Sequence, residues 1–367
     1  MRYPIPLCTS GPLLNRRQFA LAAAASLPLA APVRARAAAP EVLRVLAWPG
    51  YADADIVKTF EQRMGCQVEV TVIDSDVDLW QKISQQTSEA QPAAFDVFAV
   101  NTAELQRYIQ QNWVQAIATA TVPNLVKQLP RFQNRAAIPG LVHAGKIYAI
   151  PYTYAEMGLV YDRQQVKQPP TSIAALWDTR YQGKVIAYNA GTHNFALAAL
   201  ALGLPSPFRL TDSQWPQAVD RLIALRRNAG GFYTQPDESL ALFKNRHAAL
   251  LFANYGRQQE TLFRAAGLDV GYAIPKEGAL AWLDCWAITR GARNPTLAAA
   301  WISYLLEPEP GQMLVQRQGL ANTTSASSDY RAQDRLVWLE PVESEDRRNL
   351  LWSRIVSGDR ASKVLAP

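Results

Sequence analysis

Val42-Leu43-Arg44-Val45-Leu46-Ala47 runs directly into Trp48-Pro49-Gly50-Tyr51, and a segment with Ile56, Phe60 and Met64 spaced by four follows. A short apolar run, a Pro-Gly turn and a helical period read as strand, turn and helix. Gly65 stands where a helix-ending left-handed residue is expected. The alternation continues outward from there. Residues 68–73 and 95–100 read as strands, with a helix marked by Val77, Trp80 and Ile83 between them. Asn101-Thr102 reads as the cap of a helix carrying Leu105 and Ile109. Residues 146–150 predict a strand that Pro151-Tyr152 interrupts. A second series has strands at 158–161, 184–188, 248–253 and 270–274, and helices at 195–202 and 215–227. Ala218, Leu222 and Leu225 form the inner face of the latter helix. An apolar strand at 280–288 and helices at 296–306 and 311–318 follow.

Strands interleaved with helices predict the α/β class, and 367 residues suit about two domains. The order predicts two lobes, 38–152 plus 285–328 and 153–284 plus 329–367. The chain is expected to cross between them near 151–156 and 282–286. Two crossings let each strand bend at one place while the lobes stay rigid.

The formal charge of +6 is concentrated at the start. Arg2, Arg16, Arg17, Arg34 and Arg36 lie in a 37-residue stretch without an acid, and the remaining basic and acidic residues nearly balance. Nucleic acid is therefore not an expected partner. Residues 1–37 read as a twin-arginine-type export signal. Asn15-Arg16-Arg17-Gln18-Phe19 precedes a short apolar stretch, and Ala35-Arg36-Ala37 is a small-x-small cleavage site. The expected location of the processed chain is the periplasm. Cys8 leaves with the signal, and the large spacing of Cys66 and Cys285 favours two unpaired thiols.

No Gly-x-Ser-x-Gly elbow, His-Glu-x-x-His pair or glycine-rich phosphate loop is present. His143, His193 and His247 lack metal-ligand spacing. The expectation is a binding protein, with no enzyme activity, metal or cofactor. Aromatic residues instead stand at strand ends, where open α/β sheets bind ligands. Trp48, Tyr51, Asn101, Phe252 and Tyr255 occupy such ends, and Trp282 and Asp284 share one face of a strand. Aromatic faces attract desolvated cations, and a lone carboxylate in an apolar strand offers a charge-assisted hydrogen bond to an ammonium.

Ala47-Trp48-Pro49-Gly50-Tyr51, Phe95-Asp96-Val97-Phe98-Ala99-Val100, Ile150-Pro151-Tyr152, and Pro275-Lys276-Glu277-Gly278 followed by Trp282-Leu283-Asp284 resemble spermidine/putrescine-binding proteins of bacterial ABC importers. The resemblance runs through nearly all of the chain after the signal. It implies a two-lobe periplasmic-binding-protein-like fold of the two-crossover type, with the ligand in the interlobe cleft. It also implies an inner-membrane ABC permease as partner and a monomeric state. It puts Trp48 and Tyr51 on the first-lobe wall and Asn101 at a polar contact to an amine. Phe252 falls where the family uses a tryptophan, Trp282 matches a stacking tryptophan, and Asp284 matches the carboxylate that holds an inner amine.

One departure matters. The family places two acids after the strand matching 184–188, where this chain has Asn189-Ala190-Gly191-Thr192-His193-Asn194. Glu156, at the first crossing, is the expected replacement carboxylate. Two carboxylates suit a diamine or a modified amine. One carboxylate with His193 and Asn194 suits a zwitterion, such as an amino acid derivative or an aminophosphonate, whose anion would meet the helix N-terminus after Gly191. A secreted enzyme reusing the fold is the alternative from another class.

Overall fold

Residues 40–85, 92–325 and 334–366 are described by a computed structural model; the expected export signal at 1–37 lies outside the described residues. In chain order the first elements are β1 (Val42–Ala47), α1 (Ala54–Met64), β2 (Gln67–Val72), α2 (Asp76–Ser84), β3 (Val97–Asn101) and α3 (Thr102–Gln110). Next come α4 (Pro130–Gln133), β4 (Val142–His143), β5 (Lys146–Ile147), β6 (Ala149–Met157), β7 (Leu159–Asp162) and β8 (Val185–Tyr188). The middle continues with α5 (Gly191–Ala201), α6 (Trp215–Asn228), β9 (Ala229–Tyr233), α7 (Pro236–Asn245), β10 (Leu250–Phe252), α8 (Arg257–Ala265) and β11 (Val270–Ala273). The chain closes with β12 (Ala279–Ile288), α9 (Pro295–Leu305), α10 (Pro308–Gln318), β13 (Ala321–Asn322), β14 (Leu336–Trp338), α11 (Glu345–Val356) and α12 (Ala361–Val364).

These strands build two large sheets, with β4 and β5 forming a separate two-stranded pair. One runs β13-β6-β12-β3-β1-β2, with β14 also paired to β12; the other runs β11-β7-β10-β8-β9. Each sheet is covered on both faces. In the first, α1, α9 and α10 pack over Val45, Val97 and Trp286, while α2 and α3 pack over Leu46, Phe98 and Cys285. In the second, α5, α6 and α11 cover one face around Leu250 and Val185, and α7 and α8 cover the other around Leu251 and Ile186. This double covering explains why Val97-Phe98-Ala99-Val100 is apolar without alternation, since both of its faces are fully buried. Each fully buried large aliphatic or aromatic side chain there contributes about 1.5–3 kcal/mol.

Three local expectations change. Met64 is 47% exposed, so α1 buries only Ile56 and Phe60. In α2, Val77 is 69% exposed and the inner face is Leu79 and Ile83. Ser75 starts that helix by accepting from the Asp78 N–H, which turns Val77 to solvent. Pro151-Tyr152 does not interrupt its strand, because β6 continues to Met157. Pro151 lies opposite Cys285, where the register with β12 shifts between Asp284 and Cys285, so the missing N–H falls at an irregularity of the ladder. Its carbonyl accepts from Gln128 and Thr323. Cys66 and Cys285 are both buried and free.

Candidate ligand-binding site

The site begins with the Trp48-Pro49-Gly50-Tyr51 turn. The Tyr51 N–H donates to the Trp48 carbonyl at 3.2 Å, and Gly50 takes φ +80°. Proline followed by a residue of positive φ is the signature of a type II turn. A Cβ on Gly50 would also strike the Gln318 side chain. The turn sends the Tyr51 ring inward, where it is 3% exposed and meets Tyr152 edge-on at 5.4 Å and Trp286 at 6.5 Å. Its hydroxyl donates to Asp284 Oδ2 at 2.6 Å.

Asp284 is paired with Asn101 across β12 and β3. The Asn101 Oδ1 caps α3 by accepting from the Glu104 N–H at 2.9 Å, and its Nδ2 donates to Asp76 Oδ1 at 3.2 Å. Thus two strand ends, two helix starts and the middle of β12 bring Tyr51, Asn101, Asp284 and Asp76 together. Burial pushes the Asp284 carboxyl up to about 7; the Tyr51 hydrogen bond opposes this, and the Asp76 charge adds to it. Asp76 is itself raised, mainly by burial, with Arg107 opposing and Glu345 reinforcing. Burial likewise pushes Glu104 up to about 7, against the Arg107 charge. Arg107 pairs with Glu104 and lies 4.3 Å from the Trp80 ring.

The second sheet contributes a facing aromatic group. Tyr188, at the end of β8, meets His193 at 5.4 Å, Tyr233 at 5.5 Å and Tyr255 at 6.2 Å. Burial pushes the Tyr188 phenol up, and the Asp76 charge adds to that shift. The Asp76 charge therefore reaches Tyr188, and the Glu345 charge at the head of α11 reaches Asp76. Trp282 is half-buried and packs against the cores of both sheets, its indole N–H donating to the Asn254 carbonyl at 3.3 Å. Trp48 is half-buried over the first sheet, and its indole N–H has no partner among the described residues.

Other expected site residues lie elsewhere or are otherwise engaged. Phe252 is fully buried inside the second core, the position its strand assigns it. Glu156 pairs with Arg257 at 3.3 Å and lines a separate cavity of about 330 Å³ with Arg257, Glu260, Arg264 and Asn322. Tyr255 is half-buried and donates to the Thr234 carbonyl at 2.8 Å. Burial, then the Arg348 charge, lowers His193 to about 4, so its imidazole is neutral.

The loop without acids has a structural task. Asn189 accepts from the Trp352 indole at 2.9 Å, and the Thr192 carbonyl accepts from Arg348 at 3.1 Å. A Cβ on Gly191 would lie 2.6 Å from the Arg348 carbonyl oxygen. The start of α5 is therefore covered by α11. Asp76, Tyr188 and Glu345 escaped the sequence reading. Tyr188 closes a strand and Asp76 opens the helix after one, so the strand-end rule that found Tyr51 extends to both. Glu345 carries no comparable signal.

Residues 55–335 match the family described as bacterial extracellular solute-binding protein. The putrescine-binding periplasmic protein PotF of Escherichia coli is 25% identical, the match spanning 94% of this chain and 99% of that protein. The putrescine/cadaverine-binding protein of Pseudomonas aeruginosa is 22% identical, over 88% and 95% respectively. Among solved structures, the spermidine/putrescine ABC transporter substrate-binding protein PotD of Streptococcus pneumoniae superposes with a TM-score of 0.71 at 19% identity, covering 86% of this chain and 99% of that one. That superposition gives the two sheets their architecture, the two-lobe periplasmic-binding-protein fold. On the family match over most of its length, this chain belongs to the bacterial extracellular solute-binding proteins.

Proposed function

We propose that this chain captures a small amine-bearing cation, of polyamine type, outside the inner membrane and delivers it to an ABC permease. It works as a monomer, without catalysis, and reaches the periplasm through its leader. One observation carries the ligand class: Asp284, buried and held by Tyr51, shares an electrostatic site with Asp76, and both carboxyls are raised above their usual range. A cation placed between them favours their charged forms and screens their mutual repulsion, and its attraction to both offsets the cost of releasing the protons they keep. Trp282, packed against both cores, offers an aromatic face to such a cation. The relatives' names support the same class, since both bind putrescine.

A zwitterion is less well served, because α11 covers the α5 start that would have received its anion. Closure of the lobes over the ligand follows when contacts form only in the closed state. The test is isothermal titration of the purified chain with putrescine, cadaverine, spermidine, glutamate and aminoethylphosphonate. The proposal expects diamine or triamine binding that Asp284→Asn weakens at least about tenfold. Binding of the anionic ligands alone would overturn it.

A further inference from the structure

We propose that Tyr51 sets the headgroup specificity of the site: it ties Asp284 Oδ2 to a buried donor, leaves Oδ1 as the better-presented acceptor, and thereby favours ammonium over guanidinium. The inference rests on the cation-capture reading and refines it.

The geometry is restrictive. The Tyr51 hydroxyl donates to Asp284 Oδ2 at 2.6 Å. Its ring is lodged edge-on against Tyr152 and Trp286, which are 1% and 0% exposed. The turn that carries it is fixed by Pro49, by positive φ at Gly50 and by Gln318 packed against that glycine. The phenol therefore has no room to swing aside when a ligand arrives. Oδ2 stays directed at a buried donor, and Oδ1 accepts no hydrogen bond among the described residues.

The two cation types respond differently to such a carboxylate. A guanidinium recognises carboxylate best through two parallel N–H···O bonds, one to each oxygen. An ammonium is a compact point charge with three rotatable donors and needs only one acceptor per N–H. With Oδ2 held toward a buried donor, one of its lone pairs already engaged, the carboxylate still serves the ammonium through Oδ1 but meets the parallel fork of a guanidinium in a poorer orientation. On this geometry, Tyr51 acts through Asp284 as a positioning residue and does not form a ligand wall.

The experiment compares 1,4-diaminobutane with 1,4-diguanidinobutane, which share a spacer and differ only in their headgroups. Titration calorimetry on the wild-type chain is expected to show a preference for the diamine of about tenfold or more. Tyr51→Phe keeps the ring packing but frees the carboxylate to turn both oxygens outward, and should shrink that preference about tenfold. Wild-type binding of the diguanidine as tightly as the diamine overturns the inference, and that result needs no variant to fold. An unchanged ratio in folded Tyr51→Phe overturns it too. Asp284→Asn separates the two levels. If it weakens both ligands while Tyr51→Phe leaves the ratio intact, only the Tyr51 inference fails. If it weakens neither, the cation-capture reading fails as well.

Discussion

Asn101 ties two helix starts together: its Oδ1 accepts the Glu104 N–H of α3 while its Nδ2 donates to Asp76 at the head of α2. Because Asn101 also pairs with Asp284 across the sheet, one residue sets the spacing of two carboxylates.

Asn101→Ala should therefore lose more than a contact. The lost cap costs about 1 kcal/mol, and Asp76 loses a donor besides. Asn101→Asp keeps the cap acceptor but sets a third carboxylate against Asp76. Urea denaturation should show the alanine variant destabilised at every pH. The aspartate variant should recover on acidification, as its added charge is removed.

The pH dependence of the unliganded protein follows from Asp284 and Glu104. Their carboxyls sit at about 7, whereas exposed groups have 3.8 and 4.5. Between those values the folded chain keeps protons that the unfolded chain has lost. The stability these two carboxyls contribute therefore falls as pH rises through that window and is lost above it, while His193, lowered to about 4, contributes in the opposite sense between about 4 and 6.5. Thermal melts from about pH 4 to pH 8 should show the decline, with Asp284→Asn removing the Asp284 share and leaving that of Glu104. Cation affinity should run the opposite way and rise over the same window. At about pH 6, titration in buffers of differing ionisation enthalpy should report up to about one proton released through Asp284. Proton uptake on binding would contradict the assignment.

Gly191 is required by its neighbour. A Cβ at 191 would sit 2.6 Å from the Arg348 carbonyl oxygen, in backbone that cannot rotate away. Gly191→Ala should cost about 1–3 kcal/mol despite alanine's better helix propensity. Hydrogen exchange should show the loss concentrated in α11, and the affinity for a diamine should drop as Glu345 shifts with it.

Much of the fold was legible because double covering makes strands apolar and turns carry their own chemistry. Val42–Ala47 and Trp48-Pro49-Gly50-Tyr51 behave as they read, and Asn101 is the cap its sequence announces. Local pattern misjudged Val77, because the Ser75 cap, and not the hydrophobic spacing, sets the phase of α2. Of the expected site residues, the structure brings Tyr51 to Asp284 by a hydrogen bond and Asn101 beside Asp284 by strand pairing; Tyr51 and Asn101 come from strand ends and Asp284 from the middle of β12. Phe252 stands at a strand end too, yet its side chain points into the core, since a strand alternates faces and the end rule does not say which one. Glu156 lies on β6, whereas Asp76 and Glu345 stand at helix starts far apart in sequence. Only tertiary structure brings them to bear on each other.

Glu156 gives the sharpest separation between a hinge role and a ligand role. Its carboxylate lies 3.3 Å from Arg257, which also meets Glu260 at 3.0 Å and stacks over Tyr272 at 4.6 Å. Burial raises its pKa, so ionising it costs the fold something that the Arg257 pairing only partly returns. Glu156→Gln removes that cost along with the charge, and Arg257 keeps Glu260. Stability should then change by no more than about 1 kcal/mol, and diamine affinity should stay within about twofold of wild type. Chemical denaturation and calorimetry on the same preparation test both statements. A tenfold loss of affinity at unchanged stability would mean that the β6 carboxylate reaches the ligand once the lobes close, and the Asp284 site would then have to be extended to include it.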